Sequence, residues 1–171
     1  MAETTSLKHL PTALTLGRLA APLVVCPLIL ADRPGLAAFL FSLAALTDWL
    51  DGLIARRWSL TSHLGRVLDP VADKVLVVLT LFALAIHGDL GRLALFMTFL
   101  LLFREISITV LRQHAAIAVQ GLSKIKTLLQ NLSLGGLILG GWLAGLGQVL
   151  LFISLLLGFY TAWLYVREVL Q

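Results

Sequence analysis

The sequence contains few charged residues and a single cysteine. Only 13% of its 171 residues are Asp, Glu, Lys or Arg, whereas 59% are hydrophobic, and the mean hydropathy is +0.97. This composition excludes an ordinary soluble domain and indicates a chain that resides in a lipid bilayer. The single cysteine, Cys26, excludes a disulfide within the chain and a cysteine-based metal cluster.

Six apolar runs have the length of about 20 residues that a helix needs to cross a bilayer. They cover residues 12–31, 36–57, 67–87, 91–113, 122–144 and 147–167. Short polar or glycine-rich breaks separate them, among them ADRPG at 31–35 and AGLGQ at 144–148. We therefore predict one all-α integral membrane domain over 1–171, with six transmembrane helices after a short N-terminal cytoplasmic segment. Pro22 and Pro27 predict a kink in the first helix.

The basic residues indicate the orientation of this domain, because Lys and Arg near span ends are retained on the cytoplasmic side. With the N-terminus inside, only Arg33 and Arg92 of the 13 basic residues fall outside. Both termini are therefore predicted to be cytoplasmic, in a multi-pass protein of the cell (inner) membrane. The basic residues are scattered among apolar segments, so the net charge of +4 does not indicate nucleic-acid binding. An anionic membrane surface and phosphate-bearing substrates fit better.

Four aspartates occur at the cytoplasmic ends of the second and third predicted spans. Asp48 and Asp51 are three residues apart, and Asp69 and Asp73 are four apart. At about 100° per residue, each pair shares one helix face. The connection between the spans is short, so we expect an antiparallel hairpin in which the four carboxylates converge. Charged groups inside membrane spans cost a few kcal/mol each and are therefore candidates for a functional site.

Converging carboxylates repel one another unless a cation compensates their charge. A divalent metal supplies that compensation, and a set of oxygen ligands without His or Cys favours Mg²⁺ or Mn²⁺ over Zn²⁺. Two such ions are expected. The alternative for any single aspartate is a structural ion pair with Arg56, Arg66 or Lys74, although this alternative does not account for all four together.

The residues around the aspartates form a longer pattern with fixed spacing. It reads Asp48-x2-Asp51-Gly52-x2-Ala55-Arg56-x8-Gly65-x3-Asp69-x3-Asp73. This pattern resembles the complete signature of the CDP-alcohol phosphatidyltransferases, with no position missing. The resemblance implies a homodimer of six-helix membrane domains whose active sites open to the cytoplasm. It also implies that Asp48, Asp51 and Asp69 are metal ligands and that Asp73 lies near the metals and acts as general base.

The same resemblance implies a binding site for the cytidine nucleotide of CDP-diacylglycerol. Gly52, Arg56 and Gly65 would line it, and Ser62 is a further candidate for a phosphate contact. The residues support this interpretation, because Arg56 lies four residues after Gly52 and can reach a phosphate beside the gap that the glycine leaves. The alternative for Arg56 is a topology anchor at the end of a span.

The first helix departs from the family pattern. That family usually has a proline-asparagine pair before its leucine and threonine, whereas this chain has Pro11 and Thr12 before Ala13. Thr12 can cap a helix as asparagine does, but an amide contact to the nucleotide is lost. Arg18 and Thr12 are therefore further possible site residues.

Other stretches bear on the acceptor, which the common pattern does not name. Residues 47–52, 68–75, 104–112 and 123–127 resemble the branch of the family whose acceptor is sn-glycerol 3-phosphate. Arg104 and Arg112 are eight apart, about 80° around a helix, so both can lean toward one cavity, and arginine suits phosphate oxygens. Lys124 and Lys126 are two apart, so only one can point inward from a regular helix. The alternative for both lysines and Arg112 is cytoplasmic anchoring.

The sequence therefore predicts transfer of a phosphatidyl group from CDP-diacylglycerol to sn-glycerol 3-phosphate, which yields phosphatidylglycerophosphate and CMP among membrane lipids. Three alternatives remain. A sister transferase would use phosphatidylglycerol and make cardiolipin, but that neutral-headed acceptor has less need of so many basic residues. A cation-coupled transporter would also place carboxylates in the membrane, but the chain shows no second polar cluster and no inverted repeat. A non-catalytic scaffold would have no use for a costly cluster of charges.

Overall fold

The described part of the chain is helical. The computed structural model describes residues 15–58, 63–112 and 120–169, and every regular element in these ranges is a helix. A helical segment at 15–20 is followed by α1 (Pro22–Leu30), α2 (Pro34–Trp58), α3 (His63–His87), α4 (Arg92–Arg112), α5 (Gln120–Leu139) and α6 (Gly141–Val169). The predicted all-helical fold is confirmed for these residues.

The chain forms two compact units, Met1–His87 and Gly88–Gln171. In the first unit, α1 packs against both α2 and α3. Buried apolar side chains from all three helices, such as Val25, Phe41 and Leu84, form the interior of this unit. In the second unit, α6 packs against both α4 and α5. The assignment of 1–171 to a single domain stays a prediction.

The first apolar run is interrupted at Ala21. Residues 15–20 are helical, Ala21 is a turn residue, and α1 begins at Pro22. Pro22 has no N–H group to donate to the carbonyl four residues earlier, and Pro27 removes a second donor inside α1. The helix is therefore irregular at the proline where the sequence predicts a kink.

The break predicted at 31–35 is confirmed by the turn between α1 and α2. The backbone N–H of Arg33 donates to the carbonyl of Leu28 at 2.9 Å, which closes the end of α1. Asp32 has a φ of 56°, a left-handed conformation that aspartate tolerates better than most residues. Pro34 then begins α2, at a position where a missing N–H costs nothing.

The boundary between the last two helices differs from the prediction. The sequence predicts the break at 144–148, but α5 ends at Leu139 and α6 continues through those residues. The turn lies at Gly140 and Gly141, whose φ values of 73° and 57° are strained for residues with a side chain. Two pairs of glycines in this stretch could form the turn, Gly140 with Gly141 and Gly145 with Gly147. The helix ends at the pair that adopts positive φ.

The glycines that do not form the turn allow α5 and α6 to approach closely. A Cβ atom on Gly147 would lie 2.8 Å from the carbonyl oxygen of Ser133, and one on Gly136 would lie 2.9 Å from that of Leu143. The Ser133 hydroxyl donates to the carbonyl of Gly147 at 2.8 Å. Small residues at such contacts let helix backbones pack together, a common arrangement in membrane helices.

One helix in the described ranges, Gly141–Leu164, is long and apolar enough to cross a membrane, with a mean hydropathy of 2.0. Shorter apolar helices occur at Thr15–Leu30, Pro34–Thr47 and Lys74–His87. Six membrane spans therefore remain a prediction.

Large apolar side chains are exposed in both units. Leu23 and Ile86 are 75% and 71% exposed in the first, and Phe99 and Trp142 are 67% and 80% exposed in the second. Exposed apolar surface of this kind is costly in water and is expected where lipid surrounds a protein.

The end of the long apolar helix carries an aromatic and basic cluster. The rings of Tyr160 and Trp163 are stacked with centroids 6.3 Å apart, and the guanidinium carbon of Arg167 lies 5.7 Å from the Trp163 centroid. Tyr and Trp are enriched at the level of lipid headgroups, where arginine extends its charge toward water. This end of α6 therefore has the composition of a membrane interface.

We predict that Gly147→Ala destabilises the second unit. The new Cβ would meet backbone atoms of Ser133 and Leu137 at 2.8 and 3.0 Å, and backbone cannot yield as a flexible side chain does. Overpacking of this kind costs about 1–3 kcal/mol. Thermal unfolding in detergent should show a lower midpoint for this variant.

Gly145→Ala is the matched control for this change. It lies in the same helix, and no atom lies within 4 Å of its added Cβ. Replacing a helical glycine by alanine should stabilise the helix by about 0.5–1 kcal/mol. Equal midpoints for the two variants would contradict the close contact between α5 and α6.

Candidate active site

The four aspartates lie on the two helices that the sequence predicts for them. Asp48 and Asp51 are in α2, and Asp69 and Asp73 are in α3. Their spacing on regular helices places the members of each pair about 60° and 40° apart around the axis. Their side chains lie outside the part of the structure that is described, so the convergence of the four carboxylates stays a prediction.

The residues present fit a divalent metal in the chemistry of their donors. Each of the two helices offers a pair of carboxylates on one face, and hard oxygen ligands of this kind suit Mg²⁺ or Mn²⁺. Among the side chains that the structure describes, no group of three His, Cys, Asp or Glu residues could hold a metal ion. The four aspartates, whose side chains lie outside that part, stay the predicted metal ligands.

The residues proposed for the nucleotide fall partly on these helices. Gly52 and Arg56 lie in α2, four residues apart, and Gly65 lies in the first turns of α3. The sequence predicts that the third span begins near residue 67, whereas α3 begins at His63, so Gly65 is helical. Ser62 and Thr12 lie outside the described residues.

Arg18 is buried in the first unit. Its side chain is 1% exposed and is the largest of the fully buried side chains, and Thr15, one turn earlier, is equally buried. A permanently charged side chain in such a position needs compensating interactions. This burial distinguishes Arg18 from basic residues that only anchor span ends in the headgroup region, which keeps Arg18 among the candidate site residues.

Arg104 is held by three hydrogen bonds in the second unit. Its Nε donates to the carbonyl of Gly158 at 2.9 Å, its Nη2 donates to the hydroxyl of Thr161 at 2.5 Å, and its Nη1 donates to Glu105 Oε1 at 2.7 Å. The side chain is only 6% exposed. A guanidinium has five N–H groups, so at most two remain for a ligand.

The two lysines of α5 have opposite environments. Lys126 is 6% exposed, and its ammonium group donates to Glu105 Oε1, whereas Lys124 is exposed. Residues two apart on a helix point in nearly opposite directions, at about 200°. As the spacing predicts, one of the two lysines is buried and the other is exposed, and the buried residue is Lys126. A contact of either lysine with an acceptor stays a prediction.

Glu105 connects the two buried cations. Its Oε1 atom accepts hydrogen bonds from both Arg104 and Lys126, and its side chain is 18% exposed. The cluster therefore places two cationic groups around one carboxylate. Arg112, the last residue of α4, has a side chain outside the described part, so its contribution stays a prediction.

Three members of this cluster were not predicted from the sequence. Gly158 and Thr161 stand three residues apart in an apolar helix, and their roles depend on contacts with Arg104, 54 and 57 residues away. The available signal is weak: Thr161 is a polar residue in an apolar run, and Glu105 is an acidic residue inside a predicted span. A Cβ on Gly158 would lie 3.3 Å from Arg104 Nε, so this glycine gives the guanidinium room to approach α6.

Comparison with known proteins agrees with the residue pattern. The family model of CDP-alcohol phosphatidyltransferase matches residues 8–160. Three curated relatives share the name CDP-diacylglycerol–glycerol-3-phosphate 3-phosphatidyltransferase. The protein from Blochmanniella floridana is 37% identical over 145 residues, covering 80% of this chain and 76% of the relative. Those from Rickettsia bellii and Sodalis glossinidius are 34% and 36% identical, covering 94% and 92% of both chains.

We predict that Thr161→Val destabilises the protein. Valine keeps the shape of the side chain but leaves the Nη2 group of Arg104 without this acceptor. An unsatisfied buried donor costs about 1–3 kcal/mol, which should lower the thermal midpoint in detergent.

Thr98→Val provides the control for that substitution. Thr98 is also buried, but its hydroxyl donates to the carbonyl of Ala94 in its own helix, at 2.8 Å. Losing that local bond should change the midpoint little. If the two variants lost the same stability, Thr161 would not support Arg104 in the way that the geometry indicates.

Proposed function

Because the chain belongs to the CDP-alcohol phosphatidyltransferase family, we propose that it transfers a phosphatidyl group from CDP-diacylglycerol to sn-glycerol 3-phosphate. The products are phosphatidylglycerophosphate and CMP, so the chain acts in phospholipid biosynthesis. The observation that carries the donor assignment is the complete aspartate pattern on α2 and α3. The acceptor assignment is supported by the shared name of the relatives and by the buried cations of the second unit.

The donor half of the reaction uses the residues of α2 and α3. Asp48, Asp51, Asp69 and Asp73 would hold two Mg²⁺ or Mn²⁺ ions, which neutralise charge on the pyrophosphate and on the departing CMP. Gly52, Arg56 and Gly65, with Ser62, would line the nucleotide site. Arg56 suits a phosphate because its planar guanidinium donates two parallel hydrogen bonds. The diacylglycerol chains remain in lipid.

The chemical step requires a base for the acceptor hydroxyl. The Asp73 carboxylate accepts this proton while the hydroxyl oxygen forms a bond to the phosphorus that carries diacylglycerol. The bond between this phosphorus and the oxygen of CMP breaks, and CMP leaves with the electron pair. Asp73 then releases the proton to solvent, which restores the carboxylate for another cycle.

The acceptor half uses the cations of the second unit. Arg104 and Lys126 would bind the phosphate of glycerol 3-phosphate through the N–H groups that their bonds to protein leave available, and Arg112 would add a further contact. Charge-assisted hydrogen bonds of this kind are stronger than neutral ones. Lys124 is exposed and is not part of this proposed set.

The surroundings of the proposed enzyme are those of a multi-pass membrane protein. We propose six spans with both termini and the active site on the cytoplasmic side of the cell membrane, and a homodimer as the functional form. The exposed apolar side chains of both units support the lipid environment, and the aromatic and basic end of α6 supports an interface there.

We predict that the purified chain releases CMP from CDP-diacylglycerol when sn-glycerol 3-phosphate is present. The test incubates radiolabelled CDP-diacylglycerol in mixed micelles with a panel of acceptors, and the lipid products are separated by chromatography. Glycerol 3-phosphate should give phosphatidylglycerophosphate at a rate at least about a hundredfold above that of other acceptors, because only it presents a dianionic phosphate to the cations. Use of phosphatidylglycerol instead, with cardiolipin as product, would overturn the acceptor assignment and leave the donor site intact.

We further predict that chelation abolishes the transfer. Removal of divalent cations leaves the pyrophosphate charge without compensation, so turnover should fall at least about a thousandfold. Added Mg²⁺ or Mn²⁺ should restore it, whereas Ca²⁺, which prefers larger and more flexible coordination, should restore less. Full turnover in excess chelator would contradict the assignment of the aspartates to metal ions.

A further inference from the structure

Glu105 has an unusual position between two cations. One of its carboxylate oxygens accepts hydrogen bonds from Arg104 of α4 and from Lys126 of α5, and all three side chains are at most 18% exposed. The two cations therefore share the Glu105 carboxylate as a hydrogen-bond acceptor. Neither the aspartate pattern nor the set of acceptor residues proposed above includes this carboxylate.

Arg104 does not depend on Glu105 alone for its burial. Two further acceptors lie on α6, the carbonyl of Gly158 and the hydroxyl of Thr161. These contacts orient the guanidinium from a third helix, and the lack of a side chain at Gly158 makes the approach possible. Lys126 differs from Arg104, because a lysine is a point charge on a flexible four-carbon stem and has no preset orientation of its own.

We propose that Glu105 is a positioning residue that holds the Lys126 ammonium group beside Arg104, so that both cations meet the acceptor phosphate in a geometry set before binding. This inference rests on the proposed function. Glu105 itself carries a negative charge and repels the phosphate, so it acts through Lys126 and Arg104 rather than by contact with the acceptor. The order imposed on Lys126 reduces the entropy lost when the phosphate binds.

The hydrogen-bonding capacity of the two cations suits a phosphate. The Arg104 guanidinium has five N–H groups, and its bonds to Gly158, Thr161 and Glu105 use three of them. A dianionic phosphate is a complementary ligand for Arg104 and Lys126, since it carries negative charge and accepts several hydrogen bonds at once.

The central test is a double-mutant cycle with steady-state kinetics in mixed micelles. Glu105→Gln removes the charge but keeps the size, and it should raise the KM for glycerol 3-phosphate about tenfold. The KM for CDP-diacylglycerol and the kcat at saturating acceptor should each change less than about threefold, because the change affects acceptor binding alone. If both KM values rose and kcat fell by similar factors, Glu105 would have a structural role and the inference would be overturned.

The cycle then asks whether Glu105 acts through Lys126. In a Lys126→Gln background, Glu105→Gln should raise the acceptor KM less than about threefold further, because the positioned group is already absent. In a Lys124→Gln background, the full tenfold effect should persist, since Lys124 is exposed and is not hydrogen-bonded to Glu105 in the structure. A full additional effect in the Lys126→Gln background would overturn the inference.

A second variant keeps the test valid if Glu105→Gln fails to fold. Glu105→Asp retains the charge that neutralises the cations but withdraws the carboxylate by one methylene, so the protein should fold and show a smaller, acceptor-specific rise in KM. An unchanged acceptor KM in this variant would overturn the inference. Wild-type protein that ignores glycerol 3-phosphate would overturn the proposed function itself, an outcome visible without any variant.

Discussion

A buried guanidinium keeps its positive charge and therefore needs compensating contacts. In the second unit, the surroundings of Arg104 supply these contacts. Its N–H groups require acceptors because an unsatisfied donor on a buried charged group is costly. The acceptors come from different places: a backbone carbonyl and a hydroxyl on α6, and the carboxylate of Glu105. The helix that is long and apolar enough to cross a membrane thereby contributes to the polar site, and α4 is fixed against it. Lys126 of α5 joins the same network through Glu105.

Much of the fold could be predicted, because its determinants are local. Apolar runs of bilayer length indicate helices, and Asp32 with Pro34 identifies the turn between α1 and α2. The turn between α5 and α6 was placed wrongly, since Gly140 with Gly141 and Gly145 with Gly147 look alike in sequence. What separates them is a tertiary contact. Gly147 stays helical and lies against the backbone of Ser133, a role that no local pattern reveals.

The candidate site, like the fold, could be predicted where its determinants are local in sequence. The aspartates occur at helical spacing and lie on helices in the structure, whereas their convergence stays a prediction. The spacing of Lys124 and Lys126 predicts that one points inward, but the rotation of α5 toward its neighbours decides which one. Glu105 shows no such spacing to another candidate residue, apart from its place next to Arg104 in the sequence. Its link to Lys126 joins two helices across 21 residues, a distance over which a single sequence carries no pairing information.

The left-handed pair Gly140 and Gly141 has a consequence that extends far from the turn. A helix advances about 1.5 Å and rotates about 100° with each residue, so Gly158 lies about 25 Å beyond the start of α6, at a height and angle counted from that turn. The position of this turn therefore determines where the Gly158 carbonyl lies and which way it points, and this carbonyl accepts the hydrogen bond from Arg104. Inserting or deleting one residue anywhere between the two points would turn that carbonyl away from the guanidinium, although composition and hydropathy would barely change. Length in this stretch is thus under tighter constraint than residue identity.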